Sequence, residues 1–226
     1  MSTDARKQAA QPSSLRLVMT LAIAGLISGV AIIGIYETTL PTITANKARE
    51  LREAVFKVLP GVSRMQALVY RDGRILAVPE PQKDEPVVYG GYDEQGDFVG
   101  YAMPGAGPGF QDTIALLYGY LPHDKKVVGM EILESRETPG LGDKIYKDAD
   151  FVAEFSDLSV EPEIVAVKKG TGTLDNHVDA ITGATISAKA VVRIINETHV
   201  AWTEQLPAPG TEPPFAGDDA DSGTGQ

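Results

Sequence analysis

Two stretches of this 226-residue chain place hydroxyls, carboxylates and glycines where they could do chemistry. The first is His177-Val178-Asp179-Ala180-Ile181-Thr182-Gly183-Ala184-Thr185-Ile186-Ser187, which leads into a segment of helical periodicity. Gly183 permits a sharp turn. Thr185 or Ser187 is placed to cap the helix by accepting a backbone N–H. The free amides and the dipole of a helix N-terminus favour a phosphate, so a hydroxyl there can contact a phosphoryl group or be esterified to one. On these residues alone a plain helix cap is the simpler reading. The second stretch is Glu137-Thr138-Pro139-Gly140-Leu141-Gly142-Asp143-Lys144-Ile145. Pro139-Gly140 and Gly142 call for a tight loop whose backbone can lie against a flat ligand, with an ordinary turn as the alternative. A third piece is Val167-Lys168-Lys169-Gly170, whose lysines are either solvated surface or the counter-charge for an anion.

The remaining inventory excludes several classes. The absence of cysteine rules out disulfides, iron–sulfur clusters and thiolate metal sites. The three histidines, His123, His177 and His199, are not spaced as metal ligands, and no metal site is expected. There is no Ser/His/Asp arrangement or carboxylate pair to assign a catalytic role. Gly105-Ala106-Gly107-Pro108-Gly109 lacks the spacing and the strand–helix context of a dinucleotide fingerprint. A net charge of −11 opposes nucleic-acid binding. If this chain moves electrons, an organic cofactor carries them.

The elements that must position these residues read as α+β with an antiparallel sheet. Residues 17–36 form an uncharged run of 20 residues, long enough to cross a hydrocarbon core of about 30 Å as a helix. It exceeds the apolar region of a cleaved signal peptide, the competing reading. Arg6, Lys7 and Arg16 precede it and Glu37 follows, which puts residues 1–16 in the cytoplasm and the remainder outside. Gly25 and Gly29 form a GxxxG that permits helix packing. Pro41 is expected to end or kink this helix. An amphipathic stalk or packing helix follows within 37–61, with Ala48, Leu51, Val55 and Leu59 on one face before Pro60-Gly61.

A globular domain is expected over 62–206. Its strand pairs are 66–70 with 74–78, 87–92 with 97–102, and 113–120 with 127–134. Pro104 to Gly109 reads as a breaker-rich loop, 148–155 as a short helix, 163–168 as a strand and 187–203 as the last helix. The tail, 207–226, is rich in Pro, Gly and Asp and is expected to be disordered.

Asp179-x-x-Thr182-Gly183-Ala184-Thr185-x-Ser187 resembles the flavinylation motif of the FMN-binding domain family, with Thr182 standing where many members have Ser. Glu137-Thr138-Pro139-Gly140-Leu141-Gly142 resembles the family's second signature, in the order the family requires. The resemblance covers roughly residues 52–203. It implies FMN attached covalently to Thr185 through a phosphoester, placed there from FAD by a dedicated flavin transferase. It implies a motif of Asp179, Thr182, Gly183, Ala184 and Ser187 around that threonine. It also places Glu137, Thr138, Gly140, Leu141 and Gly142 beside the flavin, and Lys168 and Lys169 can balance the charge the diester keeps. The implied protein is a single-pass bacterial inner-membrane electron carrier whose FMN domain faces the periplasm, with other membrane subunits as partners. The motif run and the modest length resemble most the G subunit of Rnf-type ion-translocating ferredoxin:NAD oxidoreductase. The alternatives are the C subunit of sodium-pumping NADH:quinone reductase and a non-catalytic flavin-binding module for sensing or assembly.

Overall fold

The structure, a computed structural model, describes residues 13–217. Two compact units divide at Ala48/Arg49. The first contains most of helix α1 (Ser14–Val58), whose apolar part is long enough to span a membrane. Of the two outcomes expected at Pro41, an end or a kink, the helix does not end there, and the segment expected as a separate stalk or packing helix is its continuation. A lone proline removes one ladder donor. In the turn before it, the Thr38 and Thr39 hydroxyls donate to the carbonyls of Gly34, Ile35 and Tyr36, at 2.9–3.1 Å. Arg6, Lys7 and most of the expected 1–16 segment lie outside the described residues.

The second unit is built on a sheet of seven antiparallel strands in the order β2-β1-β3-β4-β5-β6-β7. They are β1 (Arg64–Arg71), β2 (Arg74–Val78), β3 (Val87–Tyr92), β4 (Phe98–Pro108), β5 (Thr113–Leu121), β6 (Lys126–Ser135) and β7 (Leu158–Ser159). Between β6 and β7 lie α2 (Lys144–Lys147), α3 (Ala149–Ala153) and a 3-10 turn, Glu154–Ser156. A parallel pair, β8 (Val165–Lys168) and β9 (His177–Ala180), leads to α4 (Thr185–Thr203).

Strand alternation sends successive side chains to opposite faces, and each face is covered. Tyr101, Met103, Leu116 and Tyr118 pack in one core with Ala188, Val191, Ile194 and Ile195 of α4. Ala102 and Leu117, the intervening residues, pack with Ala54, Val55, Val58 and Leu59 at the end of α1. The 44–59 segment is therefore a packing element at its C-terminal end, where Val55 and Leu59 are buried and Ala48 is exposed.

Two expectations fail for identifiable reasons. Pro104 to Pro108 is strand, paired with β5 from Pro104↔Leu117 to Pro108↔Thr113. β3 pairs only as far as Ala102, so this part of β4 is an edge, where proline is tolerated. Its glycines serve packing: a Cβ on Gly105 would collide with Ile194 and Thr198, and one on Gly107 with Ile194. The expected disordered tail is ordered through Gly217. The Tyr92 hydroxyl donates to the Pro213 carbonyl at 2.7 Å. The Gln66 side chain donates to the Pro214 carbonyl and accepts from the Ala216 amide, at 3.0 and 2.9 Å. The Phe215 ring lies 5.3 Å from that of Tyr92 and under the Arg64 guanidinium. Polar composition hid one aromatic anchor and three backbone partners.

Candidate functional site

The chain enters α4 through a turn closed by the Ala184 amide on the Ile181 carbonyl at 3.0 Å. Gly183 sits at φ +83°, a conformation glycine adopts without a Cβ clash. Ala184 is the N-cap residue and contributes no side-chain bond. The expectation that Thr185 or Ser187 caps the helix is not met. Thr185 is the first helical residue, is exposed, and its hydroxyl donates back to the Ile181 carbonyl at 3.2 Å. The helical ladder starts at Ala188 N–H to Ala184 C=O, so the amides of Thr185, Ile186 and Ser187 lie in the open first turn.

Beside this turn is a cleft of about 300 Å³. Lys168 and Lys169 line one side, and Thr182, Gly183, Thr185 and Lys189 the other. Lys144 Nζ donates to the Thr182 carbonyl at 3.4 Å, reaching the same turn from α2. The paired lysines and Thr185 thus line one cleft. Lys144 and Lys189 were missed. Lys189 follows Thr185 by four residues, a spacing that puts both on one helix face and was available as a signal.

Asp179 has a different task. Its carboxylate accepts from the Gly170 and Gly172 amides, and it pins the turn that carries Lys168 and Lys169. The bond from Gly170, with help from Gly172, Thr171 and the Lys169 charge, outweighs burial and holds its carboxyl below the usual range. The Asp179 amide in turn donates to Glu154, whose carboxyl is pushed up by burial.

Glu137 joins the two sequence motifs. It is 5% exposed. One oxygen accepts from the Phe110 and Gln111 amides at 2.8 and 2.9 Å. The other accepts from the Ser187 hydroxyl at 2.7 Å, across 50 residues of sequence. Burial alone would raise its pKa, but the bonds from Gln111, Ser187, Asp112 and Phe110 hold the carboxyl below its ordinary value. Gly142 makes this possible, because a Cβ there would collide with the Glu137 carboxylate and lie 2.9 Å from Ser187 Oγ.

The rest of the loop is internally braced. Thr138 Oγ1 bonds Gln111 Oε1 at 2.7 Å. The Gly140 amide donates to Asp143 at 2.8 Å, and Asp143 pairs with Lys147 at 2.6 Å. Leu141, Ile186 and Phe110 are left exposed, at 51%, 57% and 61%, on the three segments that Glu137 ties together. The site therefore offers an exposed threonine beside a cationic cleft, next to an exposed apolar surface.

Comparison with known proteins bears on this arrangement. The FMN-binding domain family matches residues 109–199, which contain every group just described except the ends of the helices. The G subunit of the ion-translocating oxidoreductase complex of Escherichia coli (strain K12) is 30% identical over 182 residues, covering 78% of this chain and 85% of its own. Its counterpart of the same name from Methanosarcina acetivorans is 27% identical over 177 residues, covering 78% and 88%. The G subunit of the Na(+)-translocating ferredoxin:NAD(+) oxidoreductase complex of Acetobacterium woodii is 32% identical over 148 residues, covering 62% and 68%. Among solved structures, Shewanella oneidensis NqrC superposes with a TM-score of 0.56 at 19% identity, covering 67% of this chain and 91% of its own. That likeness confirms the sheet architecture. This chain is a membrane protein that belongs to the G-subunit family of ion-translocating oxidoreductase complexes, with an FMN-binding domain at residues 109–199.

Proposed function

We propose that this chain is the electron-carrying G subunit of an ion-translocating ferredoxin:NAD(+) oxidoreductase complex, with FMN held as a phosphoester on Thr185. The observation that carries this reading is the exposed Thr185 hydroxyl at the open first turn of α4, beside a cleft lined by Lys168, Lys169 and Lys189. Those residue types suit a phosphoryl group: a nucleophilic oxygen, helix amides and cations. When bound, FMN supplies one- and two-electron transfer. The chain supplies position. Asp179 fixes the lysine-bearing turn, and Glu137 fixes the Phe110, Leu141 and Ile186 segments, whose exposed apolar side chains suit a flat aromatic ring. The electron donor and acceptor belong to other subunits, and attachment belongs to a flavin transferase.

The sequence relatives are G subunits, while likeness to the C subunit of the quinone reductase rests on shared fold at low identity. The G-subunit reading is therefore preferred. The test is co-expression with a flavin transferase followed by fluorescence in a denaturing gel. Wild type should fluoresce and Thr185→Val should be dark; fluorescence in the variant overturns the assignment. The basic residues that precede the apolar helix support an FMN domain outside the cytoplasm. Protease applied to spheroplasts should remove it, and complete protection would reverse the topology.

A further inference from the structure

Four lysines elsewhere in the described second unit are matched to carboxylates: Lys57 to Glu131, Lys125 to Glu161, Lys126 to Asp157 and Lys147 to Asp143. Among the described residues, Lys83, Lys144, Lys168, Lys169 and Lys189 have no carboxylate within ion-pair distance, and all but Lys83 gather at the Thr185 cleft. In a chain with 31 acidic and 20 basic residues this is not an effect of composition. The nearby acids are otherwise engaged. The Asp179 carboxylate is taken by two amides, and Lys169 lies in the field of Asp179 and Glu154.

The four cations come from three separate elements, α2, the turn after β8, and α4, so no single local sequence accident gathers them. Like charges held together repel, and an anion of more than one charge offsets that cost. Lys189 follows Thr185 at i+4 on an exposed face, and Lys144 Nζ would lie 3.6 Å from a Cβ placed on Gly183, so both reach the attachment turn directly.

We infer that Lys144 and Lys189, together with Lys168 and Lys169, form a clamp for a polyanionic phosphate, and that they act as positioning residues when FMN is transferred to Thr185. This rests on the Thr185 reading. In the transfer, the Thr185 oxygen forms a bond to the flavin-side phosphorus of FAD. The phosphoanhydride bond breaks and AMP leaves with its electron pair. The hydroxyl proton passes to a base on the transferase. The clamp neutralises the diphosphate while that bond is exchanged and holds the single charge of the diester afterwards. The chain is then a participant in its own loading and not a passive acceptor.

The test uses the full-length chain in detergent, prepared without the transferase and titrated with inorganic pyrophosphate under ³¹P NMR. Wild type should bind pyrophosphate. The double variant Lys144→Ala/Lys189→Ala should bind at least tenfold more weakly, the double arginine variant should restore binding, and Lys83→Ala should match wild type. Added salt should weaken wild-type binding. With purified transferase and FAD, the double alanine variant should lose at least tenfold in kcat/KM for labelling, with rescue by arginine. Equal pyrophosphate binding by wild type and the double alanine variant overturns the clamp. Fluorescence surviving Thr185→Val overturns the attachment site instead, so the two failures are distinguishable.

Discussion

Replacing Glu137 by alanine should loosen the site more than any other single change to its loop. The substitution strips acceptors from the Phe110 and Gln111 amides and the Ser187 hydroxyl, which Glu137 holds at 2.7–2.9 Å. Bonds to a charged acceptor contribute about 1.5–3 kcal/mol each, so a simple sum overshoots. Phe110 and Gln111 are exposed as residues, and their amides can turn to water. Ser187 is buried and cannot, and Ala leaves a void beside it. The low end is the better estimate, about 2–3 kcal/mol. Glu137→Gln keeps the acceptor oxygen and the shape but loses the charge, and should cost about 1 kcal/mol.

The assay is amide hydrogen exchange on the full chain in detergent. About 3 kcal/mol is roughly a hundredfold loss of protection, expected at Phe110, Gln111 and the Ala188 amide, the first in the α4 ladder, and absent from β1. The sign with pH follows from the lowered pKa of Glu137. Its contribution is fully present above the unfolded value near 4.5 and is lost as pH falls through the lower folded value. The Gln variant should lack that component of acid sensitivity. Wild-type protection at Phe110 and Gln111 in Glu137→Ala would refute the idea that this carboxylate ties the motifs together.

Three further outcomes follow from the same geometry. Gly142→Ala should destabilise the chain by about 1–3 kcal/mol through overpacking against Glu137 and Ser187, whereas Gly140→Ala, at φ +78° with open space around it, should cost about 1–2 kcal/mol of backbone strain and leave the Glu137–Ser187 bond intact; hydrogen exchange at the Ala188 amide separates them. Asp179→Asn should free the turn at Gly170–Gly172, seen as faster limited proteolysis there and as lower flavin incorporation with Thr185 still present. Truncation after Leu206 should lose about 2–3 kcal/mol, from the Phe215 ring contact and the bonds to Gln66 and Tyr92, in a thermal melt.

Hydrophobic periodicity marked the hairpin strands closely. β2 and β3 occupy 74–78 and 87–92 as read from the sequence, because alternation and turn residues are local signals. β9 was not legible as a strand: His177 to Ala180 pairs in parallel with β8, and parallel partners are set by tertiary contact. Pro104 to Pro108 misled for the opposite reason. Proline and glycine are turn-formers in isolation, yet here glycine admits α4 and proline sits on an unpaired edge. In the site, Thr185 was singled out by the motif resemblance and not by residue type, which favoured a plain cap, and the paired lysines were one of two readings of a basic pair. Lys144 and Lys189 were not legible, because a lysine in an acidic chain is ordinarily a solvated or paired one, and only the fold reveals which lysines lack a carboxylate.

The two motifs stand 50 residues apart at Glu137 and Ser187, and each alone admits a bland reading as a turn or a cap. Their meaning comes from the bond between them. A buried carboxylate needs several donors to remain charged, and here they are drawn from the β4–β5 turn and from α4. Ser187 is therefore committed inward to Glu137, while Thr185, two residues earlier on the helix, remains exposed. A helix turns about 100° per residue, so hydroxyls at these two positions cannot face the same way. That division of labour explains why a hydroxyl-rich helix start need not be a cap. One hydroxyl locks the helix to the signature loop, and the other is left at the cleft with lysines that have no carboxylate within ion-pair distance among the described residues.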